Sequence, residues 1–391
     1  MGDKMIPYGR QDISQQDIDA VIEVLKSDFL TQGPKVPEFE GALIAHTGAK
    51  YAIATNSATS ALHIACMALG LGKGDWLWTS PITFVASANA GLYCGAKIDF
   101  VDIDSRTYNL CPTKLERKLE RASLENCLPK VLVPVHLCGQ PCDMKRIREL
   151  CNKYNVKIIE DASHAIGGSY QGEPIGSCKY SDITVFSFHP VKIITTAEGG
   201  AALTNDHELA TKMALYRSHG ITRDLEEMTE VAHGPWYYQQ ITLGYNYRMT
   251  DLQAALGISQ MVRLTEFVET RHKIAERYKF LLKDLPVQIP YQLDNTYSAL
   301  HLYVIRLQLD TISATHKDVF QELRANNIAV NLHYIPVHTQ PYYKDMGFRR
   351  GDFPESEQYY EEAISLPMYS GLTESDQDKV VKVLVSSLVM K

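Results

Sequence analysis

The chain is best introduced by what it lacks. None of its apolar runs approaches the ~20 residues of a membrane span, so no membrane partner is expected. It has no basic excess either: 39 Lys and Arg stand against 46 Asp and Glu, a net charge of −7. Such a surface offers no general field to nucleic acid, and an anionic ligand needs a local pocket. The N-terminal stretch MGDKMIPYGRQD carries no apolar core of a secretory signal. No CxxC pair occurs among the eight cysteines, all in the first half of the chain. Cys138 and Cys142 near His136 have the wrong spacing for a zinc knuckle, and no second ligand pair follows. No metal is expected, and the thiols are read as reduced and cytoplasmic. A dinucleotide fingerprint is also missing. Gly70, Gly72 and Gly74 follow a helical pattern and precede a strand, the reverse of the required order, so they read as a helix stop and turn.

What remains, from about residue 50 to 205, is an alternation of short apolar runs and helical stretches. YAIAT (51–55), WLWTS (76–80), KIDFVDID (97–104), KVLVPVHL (130–137), VKIIEDAS (156–163), ITVFSF (183–188) and GAALTN (200–205) read as strands. Helical patterns such as SATSALHIACMALG and MKRIRELCNKYN separate several of them. This order implies an α/β fold with a mainly parallel sheet sandwiched between helices. A long helical pattern over 253–285 reads as a connection, and the strands and helices after it suggest a smaller C-terminal α+β domain. The expected division is a large cofactor-binding domain over 1–260, with an N-terminal arm, and a small domain over 261–391.

Ligands gather at the carboxyl ends of strands in such a sheet, and four features fall there. Asp161 ends VKIIED. Lys192 follows ITVFSF, 31 residues later, room for a β-ribbon and a strand. The loop TNSATSA (55–61) opens a helix, with amides and hydroxyls suited to phosphate. Phe84, in PITFVASAN, could lie against a planar ring. Each has an ordinary alternative: a helix cap for Asp161, a turn lysine on the surface for Lys192, simple capping for the loop, and core packing for Phe84. Together they supply a carboxylate for a pyridine nitrogen, an amine for an aldehyde, a phosphate cradle and a stacking ring. That is the set pyridoxal 5'-phosphate requires.

The segments NSATSALHIA, TFVASAN, IEDASHAIGGSYQG, SFHPVKIITTAEGG, LGYNYRMTDLQAALG and LPMYSGLT, in this order, resemble the sugar aminotransferase family of fold-type-I pyridoxal-phosphate enzymes. The resemblance runs from about Ile6 to the end of the chain. It implies that Lys192 binds the cofactor aldehyde, Asp161 pairs with the ring nitrogen, and His164 sits near the phenolic oxygen. It places Phe84 over the ring face and Ala58, Thr59 and Ser187 at the phosphate. Asn246 would reach that phosphate from the partner subunit of a homodimer. His189 precedes the lysine and is not the histidine that replaces it in the dehydratase branch. The stretches MIPYGRQDISQQDIDAVIEVLKSDFLTQGP and NLHYIPVHTQPYY are similar to members that aminate C4 of a UDP-linked 2-acetamido-2,6-dideoxy-4-keto hexose in pseudaminic acid biosynthesis, with L-glutamate as donor. That similarity implies Tyr8, Phe29, Leu30, Thr31, Gln32, Asn331, His333, Tyr334 and Tyr342 around the nucleotide sugar. Other readings stay open: another nucleotide-linked 4-keto sugar, of the D-series or perosamine type, or a non-catalytic regulator on the same fold. No arginine pair for the two carboxylates of glutamate is evident; Arg248 or the diphosphate-binding groups are the candidates.

Overall fold

The computed structural model describes residues 5–388. A seven-stranded sheet forms its centre, in the order Tyr51–Thr55, Gly200–Thr204, Ile183–Ser187, Lys157–Asp161, Val131–Val133, Trp76–Thr79, Lys97–Phe100. Only Gly200–Thr204 runs antiparallel to its neighbours. The apolar runs alternate between two buried faces, as the pleat requires. Ile158 and Phe186 join one apolar cluster, while Ile159 and Val185 join the other. The parallel sheet covered on both faces is therefore the one the sequence implies.

Several elements are shorter than the sequence suggests. The run 97–104 forms a strand only to Phe100, and Ile103 pairs instead with Leu110 in an isolated bridge. The run 130–137 forms a strand only over Val131–Val133. The long helical pattern is two helices, Asp251–Val262 and Leu264–Leu282, meeting at Arg263. No Pro or Gly marks the break. The Arg263 guanidinium turns away to Asp12 and Asp17, each at 2.7 Å. The β-ribbon foreseen between Asp161 and Lys192 is present as Ser169–Tyr170 and Glu173–Pro174.

A separate apolar cluster lies under the sheet Val287–Gln288, Tyr303–Leu307, Ala363–Leu366 and the helices His316–Ala325 and Glu374–Ser387. The N-terminal arm crosses to it. Ile6–Pro7 pairs with Ile328–Ala329, and Ile6 is buried in that cluster. Among the described residues no helix is long and apolar enough to cross a membrane, and no group of three His, Cys, Asp or Glu side chains is placed to hold a metal.

Candidate active site

A cavity of about 940 Å³ opens at the carboxyl ends of the central strands. Asp161, the last residue of its strand, is buried in the wall. Its Oδ2 accepts from the Ser87 hydroxyl at 2.6 Å, and its Oδ1 from the Ser163 hydroxyl at 2.6 Å and the Ser163 amide at 3.2 Å. Three donors on one carboxylate fix its orientation. Lys192 lines the same cavity from the turn after Ile183–Ser187, its backbone amide bonded to the His189 carbonyl at 2.9 Å. Burial lowers its amine from the ordinary 10.5 to about 8, against the Asp161 charge, which pulls it up. An amine at that level is partly neutral near physiological pH and therefore nucleophilic.

The floor is the start of helix Ala58–Ala68. Ser57 caps it, its Oγ accepting from the Ser60 amide at 3.1 Å. The amides of Ala58 and Thr59 have no partner within the helix and present the positive end of its dipole to the cavity. Gly200 makes this approach possible, since a Cβ there would overlap the backbone of Ser57 and Ala58. Ser187 is buried alongside, at the end of its strand. Phe84 stands at the mouth, 59% exposed, 6.2 Å from the Tyr334 ring. Amides for an anion, a fixed carboxylate and a deprotonatable amine in one cavity fit a phosphorylated pyridine aldehyde.

The opposite wall is built by residues from the second half of the chain. Asn331, His333 and Tyr334 follow the short strand Ile328–Ala329 and line the cavity. His333 Nδ1 lies 2.8 Å from the Ser365 hydroxyl, and burial lowers the ring to about 3, so it is neutral. The arm brings Tyr8 to 5.3 Å from the His333 ring. His164 is buried behind Tyr334, Nε2 to hydroxyl 3.1 Å.

Six of the predicted positions do not line the cavity of a single chain: Phe29, Leu30, Thr31, Gln32, Asn246 and Tyr342. Phe29 and Leu30 are exposed. Their turn is held from behind, where Thr31 bridges Thr250 and the Gly33 amide donates to the Asp251 carboxylate at 3.1 Å. Asn246 is exposed and bridges Ser218. Tyr342 is 62% exposed. No arginine lines the cavity among the described residues, Arg248 included. Conversely, the sequence reading missed Ser87 and Ser163, which hold Asp161 and lie inside two of the quoted motifs. It also missed His301, whose ring centroid lies 4.4 Å from that of His164, and no local pattern announces it.

Residues 11–385 match the DegT/DnrJ/EryC1/StrS aminotransferase family. The chain is 39% identical over 386 residues to the UDP-4-amino-4,6-dideoxy-N-acetyl-beta-L-altrosamine transaminase of Campylobacter jejuni, covering 98% of each. It is 38% identical over 380 residues to the spore coat polysaccharide biosynthesis protein SpsC of Bacillus subtilis, covering 96% of this chain and 95% of that one. Among solved structures, Helicobacter pylori PseC, an aminotransferase involved in the biosynthesis of pseudoaminic acid, superposes with a TM-score of 0.90 at 31% identity, over 98% of this chain and 99% of that one. Spr1654 from Streptococcus pneumoniae, in its PMP form, gives 0.89 at 29% identity, over 98% of each. The chain belongs to the DegT/DnrJ/EryC1/StrS aminotransferase family.

Proposed function

We propose that this protein transfers an amino group from L-glutamate to C4 of a UDP-linked 2-acetamido-2,6-dideoxy-4-keto hexose, in pseudaminic acid biosynthesis, with pyridoxal 5'-phosphate as cofactor. The observation that carries the reading is the meeting of the Lys192 amine and the serine-held Asp161 carboxylate in one cavity floored by a helix start. Bound there, the cofactor supplies an aldehyde that captures amines and a ring that withdraws electrons from the carbon losing its proton. The Ala58 and Thr59 amides, with Ser187, hold its phosphate. Asp161 keeps a proton on the ring nitrogen. Phe84 screens the outer ring face from water. Lys192, neutral in part because burial lowers it to about 8, takes the α-proton of glutamate and later delivers a proton to the sugar C4. The face from which it delivers sets the new stereocentre. Tyr8, Asn331, His333 and Tyr334 orient the sugar nucleotide.

We further propose a homodimer in which Asn246 and the turn Phe29–Gln32 serve the partner's cavity, and a division near residue 260 that leaves the cavity between the two cores. The comparable similarity to the spore coat polysaccharide protein supports a second reading, an aminotransferase for another nucleotide-linked 4-keto sugar.

The test is direct. Purified protein loaded with cofactor should be yellow and bleach with L-glutamate. A panel of UDP-, GDP- and dTDP-linked 4-keto sugars is then offered, and the product's C4 configuration is read by NMR. Turnover confined to a GDP- or dTDP-sugar would replace the first reading with the second. A protein that neither colours nor bleaches would end both.

A further inference from the structure

Two thiols meet behind the cavity, between two helices that help to build it, and neither lines it. Cys66 lies in the last turn of helix Ala58–Ala68, and Cys94 ends helix Ala86–Tyr93 as its C-cap. The first helix opens with the Ala58 and Thr59 amides. The second carries Ser87, which holds Asp161 at 2.6 Å. A ring contact fixes how these helices meet. His63, one turn before Cys66 and on the same face, lies 5.4 Å from the ring of Tyr93, the residue before Cys94. The two thiols are hydrogen-bonded to each other, and His63 is a second partner of Cys94. The His63 ring also meets the Tyr247 hydroxyl, through Nδ1 at 3.1 Å.

The pair is asymmetric. Cys66 is fully buried, whereas Cys94 is half-buried and open to a small solute. The bond from Cys66 first, then His63, hold Cys94 below its ordinary pKa against burial, while the same bond and burial raise Cys66. Negative charge therefore gathers on the sulfur that solvent reaches, and a thiolate is the form that attacks.

We propose that Cys94 and Cys66 are an oxidation site, closed to a disulfide by a peroxide and reopened by a thiol reductant, and that closing it loosens the hold on the cofactor phosphate. The second clause rests on the proposed function; the first does not. The Cys94 sulfur attacks one peroxide oxygen, the O–O bond breaks, and a sulfenic acid and water result. The Cys66 sulfur then attacks the Cys94 sulfur, the S–O bond breaks, and the departing hydroxide takes the Cys66 proton as a second water. Two thiols are oxidised by two electrons and one peroxide is reduced. The bond draws the sulfurs to about 2 Å, which shifts one helix against the other, and it removes the charge that His63 bonds. The first change travels along helix Ala58–Ala68 to its leading amides. The second travels through His63 and Tyr247 to Asn246, which on the proposed function serves the partner's phosphate.

The experiment uses the full chain loaded with cofactor. Hydrogen peroxide is added, free thiols are blocked and tryptic peptides are mapped. Trypsin leaves Cys66 in residues 51–73 and Cys94 in residues 74–97, with no other cysteine in either. The disulfide should appear as these two peptides joined with the loss of two hydrogens, and dithiothreitol should part them. Cys66→Ala should stop at a sulfenic acid on Cys94, trapped by dimedone. Cys94→Ser, which leaves the core untouched, should keep Cys66 as a thiol. Cofactor affinity should fall about tenfold on oxidation, as for one weakened hydrogen bond to a charged group, and should hold steady in Cys94→Ser. Peptides that stay unlinked while other cysteines oxidise overturn the site. A linked pair with unchanged affinity overturns the coupling. If the reduced protein binds no cofactor, the proposed function fails, and the peptide map then decides the disulfide by itself.

Discussion

Two groups of residues carry the proposed chemistry, and they are held in different ways. Asp161, Ser187, Lys192 and the helix start at Ala58 hang from the ends of buried strands and converge on one cavity. Phe29, Leu30 and Asn246 are fastened to their own chain from behind and turn their faces to the surface. In the first group the backbone that positions each side chain is also the core of the protein, so a single chain completes it. In the second, bonds such as Gly33 to Asp251 fix the shape of a turn that leaves Phe29 and Leu30 exposed. On the proposal above such a segment is completed by a second copy of this chain.

The largest test of this contrast is Lys192→Ala. It should leave the fold and melting temperature near those of the unmodified protein and reduce steady-state transamination by about 10³-fold or more, since proton transfer alone contributes on the order of 10²–10⁴. Retained turnover would remove the amine from the mechanism. Asn246→Ala should cost less, about 10- to 100-fold, as the loss of a hydrogen bond to a charged phosphate. The two defects should also complement. On mixing and refolding, half the dimers carry one variant of each kind, and one site in each mixed dimer is intact, so roughly a quarter of the activity should return. No recovery would place Asn246 in the same site as its own Lys192.

The same contrast governs what could be read in the sequence. The strand ends were legible because buried parallel strands are short apolar runs, and a polar residue closing such a run, as Asp161 closes VKIIED, stands out. Elements in the second half were less so. Within the strand-like apolar stretches after residue 286, SALHLYVIRLQL (298–309) forms a strand only over Tyr303–Leu307, and NIAVNLHYIP (327–336) only over Ile328–Ala329. Beyond it Asn331 makes only an isolated bridge to Ser365, and Leu332 to Tyr334 form no strand and line the cavity. At the helix break Arg263 reaches Asp12 and Asp17, a contact between residues some 250 apart that no local pattern encodes. His301 was invisible for the same reason. Its place beside His164 depends on the turn at Cys138–Gly139 meeting the segment before Tyr303.

A finer test lies at Gly200. Its bare Cα lets the antiparallel strand touch the Ser57–Ala58 backbone. Gly200→Ala should push the strand from the helix start at a cost of about 1–3 kcal/mol in stability. It should also weaken cofactor binding, because the donors of the phosphate cradle move. Denaturant unfolding and cofactor titration measure the two effects. A variant that loses stability but keeps its cofactor affinity would show that the cradle is set by the helix alone.

The smallest predicted effect concerns protons and again separates the two groups. His333 is lowered by burial to about 3, and His164 and His301 are held well below their ordinary 6.5 by the same cause. Unfolding returns each to water, where it binds a proton once the pH drops below about 6.5. Between that value and about 3 the unfolded chain therefore binds more protons than the folded one, so stability rises with pH across this window and is lost as the solution is acidified. Each imidazole contributes at most about 1.4 kcal/mol per pH unit. Lys192 gives the same sign higher up, between about 8 and its ordinary 10.5. Denaturant midpoints measured from pH 7 to pH 5 should fall, and His301→Gln, which has no proton to gain at that position, should reduce the slope by one imidazole's share. An unchanged slope would mean that this imidazole takes up its proton in the folded protein as readily as in the unfolded chain, and that the inner wall of the cavity is as open to water as the surface turn at Phe29.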